Sequence, residues 1–278
     1  MPQIIDGKAL AKAIRQDVKT RVGARRQAPQ LVAVQIGHDD ASAAYTRSQA
    51  RTAEKLGIHY RLDTLAEDAT QGGVAAHLDE LAKDPATTGI MLQLPLPGHL
   101  DATLLRRLIP VEKDVEAITE AAAGRLVYNA HLTAPCTAVA ALECLRQATG
   151  DQISGLDVAV LGRSTIVGRP LALLLLHANA TPTICHTRTK NLAQVTARAD
   201  VLIAAVGRPG LVTPDMVKDG AIVIDVGTNW VDDAAGGHLE GDVAYDLVAP
   251  KTAAITPVPG GVGPVTTAIL MRNLLDLG

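Results

Sequence analysis

Short apolar runs that close on a glycine recur along this chain: LVAVQIG at 31–37, VAVLG at 158–162, VLIAAVG at 201–207 and IVIDVG at 222–227. Each is too short and too apolar on both faces for a half-exposed hairpin strand, and helical spacing fills the intervals between them. Strands of that kind belong in parallel sheets covered by helices on both sides. The chain is therefore restricted to the α/β class.

The first series predicts a helix over 7–22, with Leu10, Ile14, Val18 and Val22 on one face, then a strand over 31–37 and a helix over 43–56 that stops at Gly57. A strand over 59–62, a helix over 71–83 and a strand over 89–94 continue the alternation, and Pro95 and Pro97 end it as a loop. Gln93 and the loop after Ile36 then lie at strand ends, where open α/β sheets hold their ligands. A second series starts near Pro135: a helix over 135–147, strand 158–161, helix 167–178, and strands 183–185, 201–205 and 221–226. The final helix is expected over 265–277.

At 278 residues the chain suits two domains. Phe is absent and aromatics total 2%, so Leu, Val, Ile and Ala must fill the cores. A net charge of -3 without basic runs interleaved with aromatics points away from nucleic acid and anionic membranes. Cys136, Cys144 and Cys185 form neither a metal-like pair nor a disulfide framework, and the histidines are scattered, so no metal site is expected. No apolar leader opens the chain and the run 170–178 is too short to span a bilayer, so a cytoplasmic protein is expected.

VAVLGRSTIVGRP at 158–170 is the strongest local pattern, a strand, a polar turn and a helix start with Pro170 in its first turn. Amides at that helix start can hold phosphate oxygens, Gly162 permits close approach to a pyrophosphate, and Gly168 permits tight helix packing. A tight turn without a ligand is the alternative. Where a site for NAD places an acidic residue, about twenty residues on, the chain reads CHTRT at 185–189. Thr187, Arg188 and Arg163 instead suit the 2′-phosphate of NADP. His186 reads either as a catalytic imidazole or, the preferred reading, as a residue of the pocket's turn. Gly207 and the DVGTN segment, including Thr228, offer close approach for the rest of the nucleotide.

Taken in order, ASAAY at 41–45, QLPLP at 93–97, KDV at 113–115, PCT at 135–137, GRSTIVGRP, CHTRT, DVGTN and ITPVPGGVGPVT at 255–266 resemble the methylenetetrahydrofolate dehydrogenase/cyclohydrolase family of the bifunctional FolD type. The resemblance covers essentially the whole chain. It implies two three-layer α/β domains flanking a cleft, a folate-binding domain at 1–134 plus 266–278 and a Rossmann-type doubly wound NADP domain at 135–265, in a homodimer. It implies that Tyr45 and Gln93 belong to the catalytic set, that Pro259, Gly260 and Gly261 lie near substrate, and that Thr137, Gly162, Arg163, Ser164 and Gly168 serve the dinucleotide.

Two departures stand out. The family places a catalytic lysine four residues after the tyrosine, and this chain has Gln49. After KDV the family's aspartate-glycine-phenylalanine is replaced by Glu116, Ala117 and Ile118, and its HPxN by Thr119, Glu120, Ala121 and Ala122. Glu116 reads either as a pterin ligand moved outward by one methylene or as a solvent-facing loop residue. Hydride transfer from a reduced folate to NADP needs positioning rather than a protein base. Hydrolysis of the methenyl product needs proton traffic, which a glutamine amide cannot supply. The expectation is an NADP-dependent methylenetetrahydrofolate dehydrogenase with weak or lost cyclohydrolase activity; a fully bifunctional enzyme and a non-catalytic folate- or nucleotide-binding paralogue are the alternatives.

Overall fold

A two-residue strand, β1 (Gln3–Ile4), leads into α1 (Gly7–Gly23). Asp6 Oδ1 accepts the Lys8 and Ala9 amides at 2.9 and 3.0 Å, the capping bonds that start this helix. Ala11, Ile14, Val18 and Val22 are buried along it, so the stripe is shifted at its start from Leu10 to Ala11. Next come β2 (Gln30–Ile36), α2 (Asp40–Leu56), β3 (His59–Leu65), α3 (Gln71–Lys83) and β4 (Gly89–Leu92). The computed structural model describes residues 2–37, 40–233 and 236–278, and of residues 40–45 the backbone alone.

β2 is the centre of a parallel three-stranded sheet in the order β3-β2-β4. Leu31 to Ile36 are all buried in it, as the doubly apolar run requires. One face carries Val32, Val34, Ile36, Ile90 and Leu92, and Val74, Leu78 and Leu81 of α3 pack on that face at helical spacing. β3 continues three residues past the expected end, because its pairing with β2 runs in register from Gln30↔His59 to Ile36↔Leu65. Two short helices that spacing did not reveal, α4 (Ala102–Arg106) and α5 (Glu120–Val127), follow. Asp101 and Thr119 cap them through their side-chain oxygens.

The remaining elements are α6 (Cys136–Thr149), β5 (Asp157–Leu161), α7 (Gly168–His177), β6 (Thr181–Cys185), α8 (Leu192–Thr196), β7 (Val201–Ala204), β8 (Ile222–Asp225), β9 (Asn229–Val231), β10 (His238–Glu240), α9 (Tyr245–Val248), β11 (Ala254–Ile255) and α10 (Val262–Leu277). Six strands form one sheet in the order β1-β11-β8-β7-β5-β6, every neighbouring pair parallel. Pro182 is tolerated because β6 is the edge strand. From β5 the chain moves outward to β6 and then returns to β7 on the other side of β5. That reversal is the topological switch point at which such sheets bind ligands.

The chain divides into two compact units, Met1–Lys12 with Pro135–Ile269, and Ala13–Ala134 with Leu270–Gly278. Residues 1–12, expected with the segment up to 134, group with the larger sheet instead, because β1 pairs with β11. α10 starts at Val262, three residues before the expected 265, and passes from one unit to the other at 269–270. Within the second unit Asn273 Nδ2 donates to the carbonyls of Val115 and Ala134 at 3.0 and 3.1 Å, fastening α10 there. Among the described residues no helix is long and apolar enough to cross a membrane.

Candidate active site

At the switch point the ends of β5, β6 and β7 enclose a cavity of about 370 Å³. Gly162, Arg163, Ser164, His186, Thr187 and Arg208 line it, with an apolar wall of Leu161, Cys185, Leu192, Ala205, Val206 and Leu211. Gly162 has φ +115°, and a Cβ there would collide with the carbonyl oxygen of Ala205. A Cβ on Gly168 would collide in turn with the Gly162 carbonyl. The strand end and the helix start therefore meet backbone to backbone, which is why this turn needs glycine twice.

The amides expected to be free at the start of α7 are already engaged. Ser164 Oγ accepts the Val167 and Gly168 amides at 3.1 and 3.4 Å, Ser164 O accepts the Arg169 amide at 3.1 Å, and Pro170 has no amide hydrogen. A serine placed just before the helix satisfies the first turn internally, so the amides of Val167, Gly168 and Arg169 are not the anion donors here. Among the described residues no carboxylate lines the cavity, while Arg163 and Arg208 both do. An apolar wall beside two cations fits a dinucleotide carrying phosphates. Arg208 is not among the residues expected from the sequence, although GRPG at 207–210, beyond β7, repeats the glycine-cation order found after β5.

His186 is a turn residue in this geometry. Its amide donates to Thr189 Oγ1 at 2.9 Å, and its Nδ1 accepts the Arg188 amide at 3.1 Å. Arg188, Gly207, Thr228 and Thr137 do not line the cavity. Thr137 is half-buried in the first turn of α6, and Thr228 is exposed just before β9.

In the other unit, Gln49 of α2 is 0% exposed. Its Oε1 accepts from Gln93 Nε2 at 3.1 Å and from the Tyr60 hydroxyl at 3.3 Å, and its Nε2 lies 3.7 Å from Met91 Sδ. Gln93 stands at the end of β4, with its amide bonded to Val34 O at 2.9 Å. The two glutamines predicted from the sequence are thus in contact. Tyr60 joins them from β3 without any motif to announce it. The side chain of Tyr45 lies outside the described residues.

The rebuilt segment after β4 is a buried turn. Lys113 Nζ donates to Leu81 O and Asp84 O at 3.0 and 2.7 Å, closing the end of α3, so the lysine of KDV is structural. Asp114 Oδ2 accepts the Thr119 amide at 2.8 Å, and burial pushes its carboxyl above the usual range. Ala117 is buried with φ 53°, holding a left-handed backbone where the family carries glycine. Glu116 is half-buried, and its carboxyl is pushed up to about 7 by burial and by the charge of Asp114, against the opposing charge of Arg106. Arg106 keeps a buried Nε–H with no hydrogen-bond partner among the described residues.

Pro259, Gly260 and Gly261 form the loop before α10, where Gly7 of α1 abuts Gly261. Among the described residues no group of three or more His, Cys, Asp and Glu could hold a metal ion.

Two family models match the chain: the catalytic domain of tetrahydrofolate dehydrogenase/cyclohydrolase over residues 5–116, and the NAD(P)-binding domain of the same family over residues 135–277. A bifunctional protein FolD of Sphingopyxis alaskensis is 46% identical over 280 residues, covering 98% of this chain and 92% of the relative. One from Campylobacter curvus is 42% identical over 276 residues, covering 98% and 94%. Among solved structures, the methylenetetrahydrofolate dehydrogenase-cyclohydrolase of Trypanosoma brucei, complexed with NADP cofactor and inhibitor, superposes with a TM-score of 0.92 at 36% identity, over 100% of this chain and 98% of that one. With both domain models matched in order and relatives aligned along nearly its full length, this chain belongs to the tetrahydrofolate dehydrogenase/cyclohydrolase family.

Proposed function

We propose that this chain oxidises 5,10-methylenetetrahydrofolate to 5,10-methenyltetrahydrofolate with NADP, and that its hydrolysis of the methenyl product is weak or lost. Bound NADP supplies the hydride acceptor; the chain's residues supply position and environment. Arg163, with Ser164 and Thr187, meets the phosphates and ribose, and the apolar wall of the cavity takes the adenine. Gln93 faces the folate with a neutral amide, and the buried Gln49 backs it. Glu116, with the unpaired Nε–H of Arg106, addresses the pterin. Pro259, Gly260, Gly261 and Thr137 join the assignment by resemblance, as does a homodimeric assembly, and Gly207, Thr228 and Arg188 join it by their places in the sequence pattern.

The observation that carries the loss of hydrolysis is the state of Gln49. Its carbonyl already accepts from both Gln93 and Tyr60, and an amide neither takes nor gives a proton at working pH. Hydride departure from the methylene carbon leaves a cation delocalised over two nitrogens and needs no proton transfer. Water addition and ring opening do need it, and general acid–base help is worth about 100- to 10,000-fold. The relatives are named bifunctional, and Glu116 favours a second reading in which its carboxyl, half-ionised near neutrality, carries the protons instead.

The test follows hydrolysis of supplied methenyltetrahydrofolate by the wild-type chain and by Glu116→Gln, beside NADP reduction with the methylene substrate. NADP reduction with hydrolysis at the buffer rate is expected. Robust hydrolysis that Glu116→Gln abolishes supports the second reading, and absence of NADP reduction removes the dehydrogenase.

A further inference from the structure

The loop after β7 turns through Val206, Gly207 and Arg208, and its three successive amides converge on one carboxylate. Val206 and Gly207 donate to Asp242 Oδ2 at 2.6 and 3.1 Å, and Arg208 donates to Oδ1 at 2.8 Å, where Asn229 Nδ2 adds a fourth bond at 3.0 Å. Asp242 is 0% exposed, so these bonds form without competing water. Consecutive amides arranged in this way are an anion-binding nest. Here the anion belongs to the chain itself.

Asp242 is in turn held by β8. Asp225, at the end of that strand, accepts the Asp242 and Val243 amides at 3.0 and 2.9 Å and the Gly227 amide at 2.9 Å. The loop that forms one wall of the cavity is therefore fixed to the neighbouring strand through two buried carboxylates.

This has a consequence for anion recognition. The nest amides are taken by Asp242, and the first-turn amides of α7 are taken by Ser164. Neither set is left for a ligand's phosphate. The charged side chains that line the cavity are Arg163 and Arg208, and neither has an ion-pair partner among the described residues. Arg208 leaves the backbone at the residue whose amide Asp242 fixes.

We propose that Arg208 is a phosphate-reading cation of the cofactor site and that Asp242 is the positioning residue that presents it. The proposal rests on NADP being the cofactor. Failure of the wild-type chain to bind NADP would remove that reading before any variant is made.

The test is calorimetric binding of NADP and NAD to the full chain, without folate or turnover, for wild type, Arg208→Gln, Arg208→Lys and Asp242→Asn. Loss of one charge-assisted contact is expected to weaken NADP about 10- to 100-fold in Arg208→Gln, with most of the affinity recovered in Arg208→Lys. Weakening of NADP alone assigns Arg208 to the 2′-phosphate. Equal weakening of NADP and NAD assigns it to the pyrophosphate. Unchanged affinity for both overturns the assignment.

Asp242→Asn, if its melting curve shows a folded protein, is expected to weaken NADP comparably and to be non-additive with Arg208→Gln, since both act through one contact. Wild-type affinity in a folded Asp242→Asn overturns the positioning role. Hydrogen exchange on the wild-type chain tests that role without a variant: slow exchange of the Val206–Arg208 amides is expected, and exchange at the rate of an open loop overturns it.

Discussion

In the proposed function, a single amide at position 49 carries the largest consequence. The exchange of lysine for Gln49 is legible in the sequence once the tyrosine four residues earlier fixes the register. Its setting is not, because Tyr60 reaches it from a parallel strand with no motif of its own. Gln49→Leu would remove the acceptor that Gln93 Nε2 and the Tyr60 hydroxyl share, and we expect a loss of about 1–3 kcal/mol, read from the urea midpoint. A neutral effect would mean that neither bond matters to the fold. Glu116 brings a pH dependence at the same scale. With its carboxyl pushed up to about 7, it donates a hydrogen bond below neutrality and accepts above. A carboxylate that accepts from the pterin should therefore lower the folate KM as pH rises from about 6 to 8, and Glu116→Gln should flatten that profile. An unchanged profile in the variant would remove Glu116 from the pterin.

At the scale of elements, the β5-turn-α7 unit was readable because its glycines and its proline are required by local backbone geometry. Side-chain traffic across the sheet was not readable. Spacing from the glycine turn points to Arg188 near the end of β6, whereas Arg208 after β7 reaches the cavity through sheet order, which no local motif announces. β1 escapes a reading by pattern because two residues carry no period; it is held by its partner β11, where Gln3 pairs with Ala254. Gly162→Ala is the sharp test of this unit. Its φ of +115° and the nearby Ala205 carbonyl leave no room for a methyl, so we expect at least about 2–3 kcal/mol of destabilisation together with loss of NADP binding. A stable variant that binds NADP normally would show that β5 and β7 can separate at no cost.

Over the whole molecule, the cores follow the composition. With no Phe available, closely packed alanine does much of the work, and Ala138, Ala140 and Ala141 of α6 are all buried. The interior also holds carboxyls that favour their protonated forms. Glu116 keeps its proton to about 7 and Asp225 to about 6, both chiefly through burial, while the unfolded chain releases its carboxyl protons near 4. Between roughly 4 and 7 the native state thus binds more protons than the unfolded state, and these two groups make stability fall as pH rises through that window. Urea midpoints at pH 5.5 and 8 should show the lower stability at pH 8, with a smaller difference in Glu116→Gln; higher stability at pH 8 would contradict the burial of these carboxyls. The most direct test of the central claim is one progress curve that follows NADPH and methenyltetrahydrofolate together from the methylene substrate. We predict one methenyl formed per NADPH, decaying afterwards at the rate of buffer without enzyme. NADPH appearing with no accumulation of methenyl, because the enzyme hydrolyses it as it forms, would contradict the assignment of Gln49.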